Sequence, residues 1–357
     1  RNPQSAWWHR SIGSSSSVND RRTHKIALLI TPMIMRNISL FFATLSVIML
    51  ASCTGTNNVA DVEVGPYTVS VIEKNVYHIQ DYNSSYPAGM VMGEDGNFVG
   101  FNNCSDMYLI VGKKKALLID LSNNIKWADN ASESLRQLVA ERSDGRELIV
   151  TFTHNHGDHI GMLHAYTEDP TVQFALPETD FSALISKFPE AQCSYINDGH
   201  VFDLGGMKVD VIEVPGHTNG SVVFSIQGQD LIFTGDAIGS GQGVWIFHEE
   251  GYRQYAAAVP HLIEWIENSA NCVNAESLRI FGGHYWQKIG LPELKDEELG
   301  MTYLYDMRQL IENINAGKVE TEPTNLGRPG LDTYFRHGIA CIVWNGEQAK
   351  QFAAGLL

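Results

Sequence analysis

Residues 147–159 read ELIVTFTHNHGDH, a continuous apolar run followed directly by four side chains of metal-ligand type. A run without polar alternation, such as 147–152, is buried on both faces, as in a central strand of a largely parallel sheet. The end of that strand therefore lies within a sheet edge, and His154, His156, Asp158 and His159 lie there with it. In extended chain, residues two apart point the same way, so His154 and His156 can grip one cation. Gly157 lets the chain turn, and Asp158 and His159 then open a short helix and face a neighbouring site. Imidazoles crowded this closely repel when protonated, and a divalent cation removes that conflict.

The same device recurs three times. Val214-Pro215-Gly216-His217, Phe233-Thr234-Gly235-Asp236 and Phe281-Gly282-Gly283-His284 each place a ligand-type residue beside glycine after an apolar strand. Sites of α/β proteins gather at that edge of the sheet. Around these motifs the chain alternates strand and helix signals. Strand character runs over 67–80, 107–111, 116–119, 147–152, 208–214, 230–234 and 279–281. Helical spacing appears over 131–139, over 252–268, where Pro260 is expected to break or restart the helix, and over 293–316, ended by Gly317. Residues 333–344 read as a closing strand or hairpin. Such alternation implies one layered α/β domain, placed at 65–357.

The N-terminus reads as an address. Ile38 to Ala51 is an uncharged, mostly apolar run behind Arg36, too short to span a bilayer and suited to a signal-peptide core. It ends in Leu50-Ala51-Ser52-Cys53, which resembles the lipobox of bacterial lipoproteins. That resemblance implies a signal peptide at 35–52, a lipid anchor on Cys53, a tether over 53–64, and a place in the cell envelope facing the periplasm or exterior. Residues 1–34 are set aside as an upstream segment. Beyond residue 52 the chain carries 19 basic and 40 acidic residues, a net charge of −21. A surface that acidic repels phosphate backbones, and no nucleic-acid partner is expected. Cys104, Cys193, Cys272 and Cys341 share no CxxC spacing and read as scattered thiols.

Taken together, Asp120 in LLIDLS, HxHxDH at 154–159, PGHTNG around His217, TGD at 234–236 and GGH at 282–284 resemble the metallo-β-lactamase-fold superfamily of metal-dependent hydrolases. The resemblance covers 67–290 and implies a four-layer αβ/βα sandwich of two mixed β-sheets with helices outside. It implies that His154, His156 and His217 hold one metal, that Asp158, His159 and His284 hold a second, and that Asp236 bridges them. Asp120 supports the site without ligating. An aspartate at the bridging position makes the set more similar to glyoxalase II-like and lactonase-like hydrolases than to true β-lactamases. After His284 there is no recognisable glutathione-binding helical region.

The chemistry so implied uses two divalent cations, zinc first, with iron or manganese at the carboxylate-bearing site. Cations roughly 3.5–4 Å apart share a water and lower its pKa to about 7, giving a bridging hydroxide as nucleophile. Asp158 additionally orients its proton, as the catalytic side chain. The expected substrate is a small-molecule ester, thioester or lactone. A phosphodiester or β-lactam substrate is the alternative, as is a lipid-anchored metal-binding protein without turnover. Substrate choice is expected from a flap over 81–106 bearing Tyr82, Tyr86, Phe98 and Phe101, and from 239–248, where Trp245 and Phe247 form a wall. Tyr285 is read as packing, and His164, His200, His248, His261 and His337 as structural or surface residues.

Overall fold

The structure is a computed structural model, and it describes residues 61–239, 243–268, 274–284, 299–324 and 326–356. The signal peptide, lipobox and tether of the sequence reading lie almost wholly outside these residues, as do Cys272 and Tyr285.

Two mixed sheets face one another. The first has eight strands in the order Val62–Val64, Tyr67–Glu73, Val76–Gln80, Asp106–Val111, Lys115–Ile119, Glu147–Thr151, Gln173–Pro177 and Cys193–Ile196. Its first four pairings are antiparallel and its last three parallel. The second has five strands, Val201–Asp203, Lys208–Glu213, Val222–Ile226, Leu231–Gly235 and Arg279–Gly282, with only the last pairing parallel.

The two-residue period of the strands assigns the layers. Ile110, Leu117 and Ile119 of the first sheet pack on Val209, Val211, Phe224 and Phe233 of the second. Their neighbours Leu109, Leu118 and Val150 point the other way, onto Leu135, Leu138 and Val139 of the helix Ala131–Ser143. On the far side, Ile212, Val223 and Ile232 pack under the helices Glu249–Asn268 and Met301–Asn315. The result is helix, sheet, sheet, helix, the four layers expected.

The structure also departs from the sequence reading. The stretch 67–80 is a hairpin, turned at Asn75 with φ 67°. Residues 333–344 form the antiparallel hairpin expected, but it lies in a third, four-stranded sheet with Val244–Trp245 and Thr321–Pro323. The helix Glu249–Asn268 runs straight through Pro260. An interior proline costs roughly 3 kcal/mol. Tyr255, Val259, Leu262, Ile263 and Ile266 are buried on either side of it, and Pro260 faces solvent, where water can take the freed carbonyl.

Candidate metal centre

The strands Lys115–Ile119 and Glu147–Thr151 are parallel and end beside each other, which brings Asp120 next to Thr153 and the 154–159 motif. In the second sheet Lys208–Glu213, Leu231–Gly235 and Arg279–Gly282 all run one way, so the loops carrying His217, Asp236 and His284 emerge at one edge. The approach is close. A Cβ on Gly283 would sit 2.6 Å from Asp236 Oδ1 and 2.7 Å from His159 Cε1, so only glycine fits there.

The structure places all seven ligand-type residues named from sequence around one point. Ligand atoms of His154, His156, His217 and Asp236 lie within 4.8 Å of one another, as do those of His159, Asp236 and His284. Asp236 belongs to both groups. Its Oδ2 lies 3.4 Å from His217 Nε2 and 3.9 Å from His154 Nε2. Its Oδ1 lies 3.4 Å from His159 Nε2 and 3.1 Å from His284 Nε2, which is also 3.2 Å from Oδ2. His217 Nε2 is 2.9 Å from His156 Nδ1, and Asp158 Oδ2 is 3.6 Å from His284 Nε2.

The outward nitrogens show which atoms remain for a cation. His217 Nδ1 donates to the Trp245 carbonyl at 2.9 Å, and His284 Nδ1 to the Cys104 carbonyl at 2.5 Å. His159 Nδ1 lies 2.9 Å from Asp120 Oδ2, and His154 Nδ1 lies 3.0 Å from the Thr153 hydroxyl. Each of these rings thus has Nδ1 occupied and Nε2 turned inward, the arrangement that orients metal-ligating histidines. His154 Nε2, His159 Nε2 and Asp236 Oδ1 are buried without a hydrogen-bond partner. Such orphans cost about 1–3 kcal/mol each in a protein interior. Three of them converging at one place fit divalent cations, and the imidazole and carboxylate donors suit zinc.

Charge is divided accordingly. Burial drives the His154, His156 and His217 imidazoles toward their neutral form, His217 to about 4. Burial also opposes charge on His159 and His284. There Asp236 outweighs it, helped by Asp120 for the first and Asp158 for the second, and His284 rises to about 9. Burial would raise the Asp158 and Asp236 carboxyls, but His159 and His284 hold them below their ordinary range.

Several supporting residues were not singled out from sequence. Asp180 accepts from Asn155 N at 3.1 Å, Thr218 Oγ1 at 2.7 Å and Gly220 N at 2.8 Å, tying the 154–159 loop to the His217 loop. Asp81, fully buried, accepts from the backbone of Cys104 at 2.5 Å and of Ser105 at 3.0 Å, and from Asn123 Nδ2 at 2.6 Å. Burial pushes its carboxyl up to about 6 against those hydrogen bonds. Asp81 follows a strand as Asp120 and Asp236 do, and that was its one sequence signal. Of the expected substrate-facing elements, Phe247 packs its ring 5.8 Å from His156 and 5.7 Å from His217. The flap holds the hairpin Gly89–Met92 with Phe98–Asn102. Tyr86 packs on Trp127 and Phe98 on Phe101, and Tyr86 and Phe98 are both exposed.

Residues 105–259 match the sequence model of the Metallo-beta-lactamase superfamily. It is 29% identical over 158 residues to an atrochrysone carboxyl ACP thioesterase of Aspergillus chevalieri, covering 44% of this chain and 47% of that protein. It is 31% identical over 93 residues to a hydroxyacylglutathione hydrolase of Aeromonas salmonicida, covering 26% and 34%. The chain thus spans less than half the length of these relatives. Among solved structures, a metallo-beta-lactamase from Pontibacter korlensis aligns with a TM-score of 0.49 at 17% identity, over 69% of this chain and 99% of that one.

Proposed function

We propose that the protein is a dinuclear metal-dependent hydrolase acting on a small ester, thioester or lactone. The observation that carries the reading is Asp236, which sits between two groups of imidazole nitrogens, with His154 and His217 at Oδ2, His159 at Oδ1, and His284 within 3.2 Å of both oxygens. His154, His156 and His217 would hold one cation, Asp158, His159 and His284 the other, and Asp236 both. When bound, such cations lower the pKa of water and polarise a scissile carbonyl. The protein's own contribution is orientation. Asp120, Thr153, Trp245 and Cys104 fix four rings from behind, and Phe247 lines one side of the centre. Asp158 is the most open of the carboxylates, its side chain 37% exposed, and is held ionised by His159 and His284. It is therefore placed to orient or take the proton of an attacking water.

The thioesterase and the hydroxyacylglutathione hydrolase among the relatives favour a thioester within this class. The test is a panel of a thioester, a lactone, an aryl ester, a phosphodiester and a β-lactam, run on protein of known metal content. Turnover of the first three that is lost in Asp236→Ala is expected. Turnover of only the phosphodiester or β-lactam would replace the substrate class, and no turnover by metal-replete protein would replace catalysis with metal binding.

We further propose export and lipidation at Cys53 after removal of 35–52, with 65–357 as the hydrolase domain. No helix among the described residues is long and apolar enough to cross a membrane. Incorporation of labelled palmitate that disappears in Cys53→Ser is the expected result.

A further inference from the structure

We propose that Cys104 is a metal ligand, supplying a thiolate to the cation held by Asp158, His159 and His284. The inference rests on the dinuclear reading above and adds a donor that the motif pattern does not contain. Its Sγ, a carboxylate oxygen of Asp158 and a ring nitrogen of His284 lie within 4.8 Å of one another. His284 also belongs to the group it forms with His159 and Asp236, and so is shared between the two groups. Because His284 Nδ1 is committed to the Cys104 carbonyl, Nε2 is the nitrogen left for a cation.

The backbone around this thiol is held as a ligand's is. Cys104 N–H donates to Asp81 Oδ1 at 2.5 Å and Ser105 N–H donates to the same oxygen at 3.0 Å. Asn123 Nδ2 and the Ser122 hydroxyl hold the other oxygen at 2.6 and 3.1 Å. The Ser105 hydroxyl reaches the carbonyl of Asp158 at 2.5 Å. Cys104 is thereby fixed to both of its neighbours in the group, through its own carbonyl to His284 and through Ser105 to Asp158. Packing alone does not account for the position. Cys104 is partly exposed as a residue, and Asp158, Asp81, Asp236 and Asp106 place negative charge near its thiol, which burial also keeps protonated until a cation offsets both. Four carboxylates make poor company for an apolar thiol and good company for a cation.

On coordination the S–H bond breaks, its proton leaves to solvent, and the sulfur lone pair forms the bond to the metal, with no change of oxidation state. A sulfur donor also changes what the site selects. Thiolate favours zinc and cobalt over manganese, whereas an all-nitrogen and oxygen set accepts the harder ions.

The test is a cobalt(II) titration of the full-length protein, read in the near ultraviolet, where thiolate-to-cobalt charge transfer absorbs. We expect that band to rise with binding at one of two sites and to vanish in Cys104→Ser, while ligand-field absorption of the other site persists. Cobalt affinity at the affected site should fall by at least about 10-fold, the lower end of what even an outer-shell change costs. Should the serine variant not fold, zinc X-ray absorption of the wild-type protein serves instead. A sulfur neighbour at about 2.3 Å supports the assignment. Two bound cations with only nitrogen and oxygen neighbours, or an unchanged spectrum in Cys104→Ser, would overturn it and leave the dinuclear reading standing. Failure to bind cations at all would overturn both.

Discussion

Asp120→Asn should weaken both halves of the metal centre, although Asp120 touches no cation position. One carboxylate reads out to two rings. Its Oδ1 accepts from Thr153 N at 2.7 Å. Its Oδ2 accepts from the Thr153 hydroxyl at 2.8 Å and from His159 Nδ1 at 2.9 Å. With the Thr153 hydroxyl donating to Asp120, its oxygen is left to accept from His154 Nδ1, 3.0 Å away. Both imidazoles are thus held with the proton on Nδ1 and a lone pair on Nε2. Asparagine has nearly the same shape and tolerates the left-handed backbone here, φ 65°, so the substitution changes hydrogen bonding alone. If the new NH2 takes the Oδ2 position, it donates to Thr153, whose hydroxyl must then donate to His154 Nδ1. His159 meets a donor directly, and both rings are pushed to the tautomer that cannot ligate through Nε2. If the amide is reversed, its NH2 opposes the Thr153 N–H, leaving buried donors unmatched at about 1–3 kcal/mol. Losing the outer-shell acceptor should cost each site about 10–100-fold in affinity, or about 1.4–2.8 kcal/mol at 1.36 kcal/mol per decade. Zinc competition against a chromophoric chelator measures both steps. Thr153→Val cuts only the His154 arm and should weaken one site alone. Two wild-type affinities in Asp120→Asn would refute the tautomer argument.

Other outcomes follow from the same geometry. Gly283→Ala drives a methyl into Asp236 and His159, and metal analysis should show at most one cation per chain; full occupancy would contradict the packing. Chelation should lower the melting temperature and zinc should restore it, because a ligand at 100 times its Kd stabilises by about 2.7 kcal/mol; an unchanged melt would mean the centre is not loaded. For Asp81, burial raises the folded carboxyl from 3.8 to about 6, so the folded state holds that proton more tightly. Its contribution is greatest below pH 4 and falls as pH rises through 6, by at most roughly 3 kcal/mol at 1.36 kcal/mol per pH unit. Urea unfolding of metal-stripped wild type and Asp81→Asn should therefore show a stability difference that shifts against the wild type between pH 4 and 7, and a flat difference would refute it.

What sequence could show of this molecule depends on the range of the forces that place each residue. His154, His156, Asp158 and His159 are legible because covalent spacing alone sets them together, and the apolar run before them marks a buried strand. His217, Asp236 and His284 are legible because each repeats a local device of strand, glycine and ligand. The strand Val222–Ile226 was missed despite its apolar sequence, since Ser221 and Ser225 blurred the run although both are buried. Pro260 misled for the opposite reason, a strong local signal overridden by tertiary burial of the same helix. The supporting residues were the least legible. Asp180 meets Asn155, Thr218 and Gly220 only after the sheets pair, and Asp81 reaches Cys104 and Asn123 across the same distance in sequence. Nothing in the neighbourhood of Asp180 distinguishes it from a surface aspartate, and Asp81 carries only the weak signal of following a strand. The ligands are thus written locally, whereas the residues behind them, Asp120 apart, are set in place by topology. The residues behind the rings decide which nitrogen of each ring faces inward, so differences in affinity and metal preference from relatives sharing the seven-residue pattern should trace to Asp81, Asp120, Thr153 and Asp180, and to Cys104 through both its carbonyl and its proposed thiolate.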